Sequence, residues 1–598
     1  MARSKMDKYL FTPGGNVSPK DFYTEERGFG FITEQVMENV PHLMLPELNG
    51  GFMPVPWYRL LEPTQIEQND CGCIVRRTKT SAENPVQHTN LNGCGTDTAS
   101  EKPRQTPLRF KCHVNAEGSY RVRVIIRAAE KISDIRIFIG RRTLTAWQKT
   151  LLPGETLTCE MYTEVCGIIP RGQEKIYRNL CIEVSVTADS PCLSEIEIEP
   201  VQCPVIYIAG DSTVTDQSAE YPYSPETSYA GWGQMLPFYI NGEMTVSNHS
   251  HSGLTTESFR EEGHAAVPFA RCKPGDYMLF QFGHNDQKLM HLKAQDGYRA
   301  NLEAYIAECR GKGVHPLLVT PVARNTWRGS DGQYNDLLQE YADECLEIGR
   351  RLSVPVLDLH RLSMELILHL QKENAKRYFY PSDYTHYNDF GAKKMAGMIC
   401  SEIRRTCTEG AYQWLASQIV EFPDEWPEPA FVEPLQRPEG FTMENESAEW
   451  EDPDRPADLL LRAEALDMVI KRAGFFITNV YNDFFTDIIG HEWYAGAVEC
   501  GLQNGILTGE DCKHKLFRPL EPVTLLDFAV FLMRAYGSRK TLPTVQPCPY
   551  DGTVRKDLRS LVSAACQLSV LAADGTDALD EPVSRKQGSD ICRKLKIM

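Results

Sequence analysis

The chain has 598 residues, a formal net charge of -18, 42% hydrophobic and 24% charged residues, and a mean hydropathy of -0.36. That length exceeds one hydrophobic core and predicts about three or four domains. The acidic balance argues against a nucleic-acid partner, and no apolar run reaches the roughly 18 residues a membrane-inserting helix needs.

The first 31 residues carry Arg3, Lys5, Asp7 and Lys8 but no apolar h-region. They predict a cytoplasmic protein, or a cell-surface one if a leader precedes this chain. From Phe110 to Ile198 the pattern is β: Tyr120 to Ile126, Ile135 to Ile139, Cys181 to Val186 and Ile196 to Ile198 alternate or nearly so. Short alternating strands between turn residues predict an N-terminal antiparallel β-sandwich over residues 1–203. Residues 63–107, polar and rich in Asn, Thr and Gln, read as a loop insertion. Within it Cys71, Cys73, His88 and Cys94 do not have a standard zinc spacing. A polar insertion is the preferred reading, and no metal is expected. The 19 cysteines show no disulfide framework and read mostly as reduced thiols.

After Pro204 the rhythm changes. Apolar runs Val205–Ile208, Met244–Val246, Tyr277–Phe282, Pro316–Thr320 and Pro355–Leu359 alternate with amphipathic segments such as Tyr298–Arg310 and Tyr334–Arg351. This predicts an α/β, flavodoxin-like domain with a five-stranded parallel sheet over residues 204–406, whose ligands sit at the strands' carboxyl ends. A Pro-, Glu- and Trp-rich stretch, 407–454, reads as a linker. Residues 455–598 form a helical unit with an internal repeat.

Four blocks carry chemistry. Gly210-Asp211-Ser212-Thr213 places a Ser after a buried strand, where a helix mouth would favour negative charge on an oxyanion; alone, it reads rather as a helix N-cap. Asp383-Tyr384-Thr385-His386 puts a carboxylate three residues before an imidazole, close enough on a turn to hold its tautomer. Asn285 could offer its amide, and Gly253 its backbone N–H, to an oxyanion; alone, both read as turn residues. His284 lies beside this site, and Arg324 and Trp327 follow the fourth strand, where they could contact a sugar or decorate the surface.

Taken together, the blocks resemble the SGNH (GDSL-type) hydrolases. The resemblance is closest to the rhamnogalacturonan acetylesterase-like members, carbohydrate esterase family 12. It rests on Ile208 to Gln217, Gly231 to Pro237, Gln281 to Asp286 and Asp383 to His386 followed by Gly391-Ala392. It implies a serine esterase with nucleophile Ser212, base His386, orienting Asp383 and an oxyanion hole from Ser212, Gly253 and Asn285. No cofactor is implied, and the substrate would be an acetylated oligosaccharide. The rival readings are a lipase or thioesterase on the same fold, and a glycan-binding protein with a vestigial hydrolase domain. The N-terminal sandwich resembles the galactose-binding-like sandwiches that precede such esterases. The C-terminal repeats resemble S-layer homology modules, through Asp487, Trp493, Gly505, Gly509 and Phe517-Arg518-Pro519, and so imply a cell-wall polysaccharide partner. They depart from that pattern at Leu525, Gln587, Ser569 and Ala573.

Overall fold

The structure is a computed structural model. It describes residues 6–32, 56–58, 65–76, 105–169, 176–220, 223–327, 334, 336–381, 383–420, 459–475, 484–485, 487–488, 494–508 and 516–595. His88, Cys94, Trp493, Gly509, and most of the proposed insertion and linker lie outside these residues. Among the described residues no helix is long and apolar enough to cross a membrane.

The N-terminal strands are β1 (Asp7–Leu10), β2 (Phe29–Phe31), β3 (Leu108–His113), β4 (Gly118–Arg127), β5 (Ile132–Ile139), β6 (Thr143–Leu151), β7 (Thr156–Val165), β8 (Cys181–Thr187) and β9 (Glu195–Val201). The α/β strands are β10 (Val205–Gly210), β11 (Thr245–Asn248), β12 (Tyr277–Gln281), β13 (His315–Val319) and β14 (Val356–Leu357). One nine-stranded sheet runs β1-β9-β4-β7-β11-β10-β12-β13-β14. A second sheet, β2-β3-β8-β5-β6, covers its antiparallel half. Val122, Val124 and Ile126 of β4 share a core there with Ile137, Ile139, Val184 and Val186.

The two halves are therefore not separate layers joined by a peptide. β7 pairs in parallel with β11 through Thr163 and Val246. An unpaired outer strand exposes N–H and C=O groups, and β7 covers that edge. The last five strands are parallel, each buried on both faces as such sheets require. β10 shows the period of two: Ile206 and Ile208 enter one core, while Val205, Tyr207 and Ala209 enter the other. Val205, Ile206 and Ile208 each contribute roughly 1.5–3 kcal/mol by burial.

Helices α1 (Arg299–Gly311), α2 (Gln339–Leu352), α3 (Leu359–Ala375) and α4 (Asp389–Thr406) flank the sheet. In α2 the buried Tyr341, Ala342, Cys345, Ile348 and Gly349 recur at helical spacing, and Ser353 ends the helix in the left-handed conformation.

Two sequence readings are corrected. Residues 65–76 are not loop but a hairpin, Gln65–Asn69 with Gly72–Arg76. The Asn69 side chain accepts from the N–H groups of Cys71 and Gly72 and makes the turn. The proposed linker begins as structure: α5 (Gly410–Ser417) buries Leu415, and Tyr277 donates to the Ala411 carbonyl at 2.6 Å.

The C-terminal unit closes on itself with pseudo-threefold symmetry. Helices α6 (Arg462–Arg472), α8 (Leu525–Gly537) and α10 (Arg585–Lys594) each follow a short extended segment, and α7 (Ala495–Gln503) and α9 (Arg559–Gln567) fall between them. The extended segments form a backbone ring: Leu460 N–H donates to Val583 O, Val583 N–H to Val523 O, and Val523 N–H to Leu460 O, at 2.8, 3.0 and 2.9 Å.

Candidate active site

Ser212 follows β10. Gly210 just before it has no room for a side chain, since a Cβ would meet Gln281 O and Val214 Cγ2 at 2.7 Å. The expected helix mouth is absent. Residues 211–215 form a turn instead, with Val214 N–H on Asp211 O at 3.1 Å and Thr213 N–H on Asp211 Oδ1 at 2.9 Å. Within this turn the Asp211 carboxylate also accepts from the Thr213 hydroxyl at 2.8 Å. Ser212 stays partly exposed.

The Asp383–His386 segment does not follow a strand directly. Helix α3 intervenes, and the loop returns between α3 and α4. Pairing of Tyr229 with Asn388 and of Ala230 with Tyr387 holds it there, together with Asn325 N–H on Tyr384 O at 2.8 Å. Asn388 caps α4 through Gly391 N–H at 3.0 Å.

On this frame Ser212 Oγ lies 2.7 Å from His386 Nε2. His386 Nδ1 lies 2.9 Å from Asp383 Oδ2. Asp383 Oδ1 accepts from the N–H groups of Thr385 and His386 at 2.7 and 2.8 Å. The Asp383 side chain is 1% exposed and that of His386 24%, so the imidazole faces solvent while its carboxylate partner is enclosed. A carboxylate must receive a proton from Nδ1, which leaves Nε2 free to accept from the Ser212 hydroxyl.

Gly253 has φ +82°, a left-handed conformation that suits glycine. Among the described residues neither its N–H nor that of Ser212 has a hydrogen-bond acceptor. Asn285 is buried, and one N–H of its amide donates to Leu254 O at 3.0 Å, while the other has no acceptor among the described residues.

A family model for the GDSL-like lipase/acylhydrolase family matches residues 208–394. The rhamnogalacturonan acetylesterase RhgT of Bacillus subtilis (strain 168) is 34% identical over 218 residues, which are 34% of this chain and 90% of that protein. The chain belongs to the GDSL (SGNH) hydrolase family. It is a carboxylic ester hydrolase. The probable rhamnogalacturonan acetylesterase YesY of the same organism is 32% identical over 210 residues, 33% of this chain and 92% of its own length. The crystal structure of YxiM from Bacillus subtilis covers 67% of this chain and 98% of its own, at 21% identity and a TM-score of 0.33.

The esterase's other predicted contact residues are not at its mouth. His284 is 2% exposed, with Nδ1 3.1 Å from Asp211 Oδ2 and Nε2 3.0 Å from Val322 O. Arg324 is buried and donates to His284 O at 3.2 Å. Trp327 packs edge-on against Tyr334 and gives its indole N–H to Asn325. The surface reading of Arg324 and Trp327 is corrected: each is turned inward because its polar group has a partner there, and His284, expected beside the site, bonds through both ring nitrogens. His249, also buried, is pushed well below the ordinary histidine value by burial and by Arg141 and Arg271, and stays neutral.

Three neighbours of the site have no role in the sequence reading. Gln217 Nε2 donates to Ser212 O at 3.1 Å. Tyr229 presents its ring edge-on to His386 at 5.8 Å and stacks on Tyr380. Gln217 lies inside the matched Ser block, whereas nothing in the local pattern marks the two tyrosines.

Proposed function

We propose that this esterase removes acetyl groups from carbohydrate, with rhamnogalacturonan or a related pectic oligosaccharide as substrate, through a Ser212–His386–Asp383 triad. The observation that carries the reading is the 2.7 Å contact between Ser212 Oγ and His386 Nε2. The names of the two curated relatives support the choice of substrate.

Ser212 Oγ attacks the acetyl carbonyl while His386 Nε2 takes its proton. The negative oxygen is met by the N–H groups of Ser212 and Gly253 and the amide of Asn285. Collapse breaks the bond to the sugar oxygen, which leaves with the proton from His386. Water then attacks the acetyl-enzyme, His386 taking its proton; the bond to Ser212 Oγ breaks, Oγ recovers the proton from His386, and acetate departs. Asp383 holds the ring and stabilises its cationic form.

The test is acetate release from acetylated rhamnogalacturonan oligosaccharides, with Ser212→Ala beside the wild type. Release that vanishes in the variant supports both nucleophile and substrate. Ser212-dependent turnover of p-nitrophenyl acetate without that release removes the pectic assignment, and faster turnover of long-chain esters would favour a lipase. Undiminished release by Ser212→Ala would overturn the triad.

A further inference from the structure

The turn between β5 and β6 carries two consecutive arginines, Arg141 and Arg142, out of the second sheet and into the α/β domain. Gly140 and Arg142 both take left-handed φ, 63° each, which the tight turn requires. The Arg142 side chain is fully buried. Its NH1 donates to both oxygens of Asp389, at 2.8 and 2.7 Å, its Nε to Gln217 O at 3.1 Å, and its NH2 to Tyr229 O. Tyr223 adds a hydroxyl donor to Asp389 Oδ2 at 2.6 Å. The Arg142 carbonyl accepts from Gln234 Nε2 at 2.9 Å, and Gln234 Oε1 accepts from Gln217 N–H at 3.1 Å.

Each group this guanidinium holds leads to the triad. Gln217 donates from its side chain to the Ser212 carbonyl. Tyr229 packs its ring against the His386 imidazole. Asp389 opens α4 three residues beyond His386, next to the cap Asn388. Arg141 binds the Asn248 carbonyl and, at 3.0 Å, Asp216 Oδ2. It thereby ties the segment after Ser212 to the strand that leads to Gly253.

The geometry points to Arg142 as a positioning residue for the esterase reaction, through which the N-terminal half of the chain sets the distance between Ser212 and His386. This rests on the triad reading above. Nucleophile and base stand on loops that meet at the carboxyl edge of the sheet, and among the described residues no strand pairing joins the Ser212 loop directly to the His386 loop. A planar fork that donates in several fixed directions can hold three carbonyl and carboxylate partners in one plane, which a single ammonium cannot. The reaction is sensitive to that spacing, because small misplacements of reacting groups reduce turnover far more than binding.

The test uses the full chain and p-nitrophenyl acetate. Arg142→Lys keeps a charge opposite Asp389 but loses the fork. Arg142→Met/Asp389→Asn removes both charges, so no buried carboxylate is stranded. In each variant that melts cooperatively, kcat is expected to fall about 10-fold or more with KM within about 2-fold, and phosphonylation of Ser212 by a fluorophosphonate to slow in parallel. A folded variant with wild-type kcat, or a loss confined to KM, would overturn the inference. So would failure of both variants to fold, which would make Arg142 a purely structural tie. Ser212→Ala in the same assay separates the two proposals. If it retains wild-type turnover, the triad reading has failed; if turnover needs Ser212 but not Arg142, only the positioning role has failed.

Discussion

Asp211 Oδ2 and His284 Nδ1 face each other at 3.1 Å with both side chains closed to solvent, the carboxylate one residue from Ser212. The other ring nitrogen faces a carbonyl oxygen, Val322 O at 3.0 Å. Two acceptors require two N–H donors, so the ring carries both protons and the pair is ionic. Burial opposes the charge on Asp211, but His284 and the donors of Thr213 hold its carboxyl below the ordinary range. Removing one partner of such a pair strands the other. His284→Ala is therefore expected to lower stability by about 3–5 kcal/mol and His284→Ala/Asp211→Asn by less, read from urea denaturation. Equal losses in the two variants would exclude the ion pair.

Asp383→Asn should leave the loop folded and lower kcat by about 10,000-fold, because an amide no longer selects the tautomer with its proton on Nδ1. Steady-state kinetics on p-nitrophenyl acetate, with circular dichroism as the control for folding, measure this. A drop smaller than about 10-fold would remove Asp383 from the triad.

Asn285→Ala should cost about 100- to 1000-fold in kcat with little change in KM, as expected for a donor used mainly in the transition state. Its second bond, to Leu254 O, shapes the segment after Gly253. A KM effect larger than the kcat effect would make Asn285 a substrate-binding or structural residue instead.

Asp286 is fully buried, and burial pushes its carboxyl up to about 7. Donation from the Thr256 side chain and N–H and from Gly283 N–H opposes that rise, and the Asp211 charge adds to it. An unfolded Asp titrates at about 3.9, so between these values the folded state binds the proton more tightly. The group's contribution is thus fully present below about pH 4 and is lost as pH rises through 7. Stability of Asp286→Asn relative to wild type should rise between pH 4.5 and about 7.5, read from urea midpoints. A flat difference would contradict the raised value.

The C-terminal ring has two ion pairs between successive copies, Arg462 with Asp527 and Arg585 with Glu464. The third place in this cycle holds Leu525 and Gln587, so both members of that pair have changed. Leu525→Arg/Gln587→Glu should restore it, with a coupling energy of about 0.5–1 kcal/mol in a double-mutant cycle on thermal melting. Zero coupling would show that the cycle does not tolerate a third pair.

Much of the α/β half was legible in the sequence because parallel strands buried on both faces are nearly continuous apolar runs. Val205 to Ile208 and Tyr277 to Phe282 announce themselves in this way. The residues around Ser212 and His386 were legible for a different reason: their types and order match a family in which each block has a chemical task. Two errors of reading share a cause. Asp211 suggested a helix cap, yet it caps a turn. The segment after 407 looked like a linker by composition, while Leu415 and Tyr412 bury against the sheet's flank. Composition and local pattern report what a segment can do alone, not which surface it will meet.

By itself the sequence determined which blocks match the family around Ser212, Asp383 and His386, the alternation of strand and helix, and the C-terminal repeat, because each is written in neighbouring residues. Tertiary structure decided the rest. It carried β7 onto β11 and turned His284, Arg324 and Trp327 inward. It also brought Arg142 beside Asp389, 247 positions away in the chain. Such contacts depend on where two sheets and a returning loop meet, and burial rewards whichever long-range partner satisfies a polar group there.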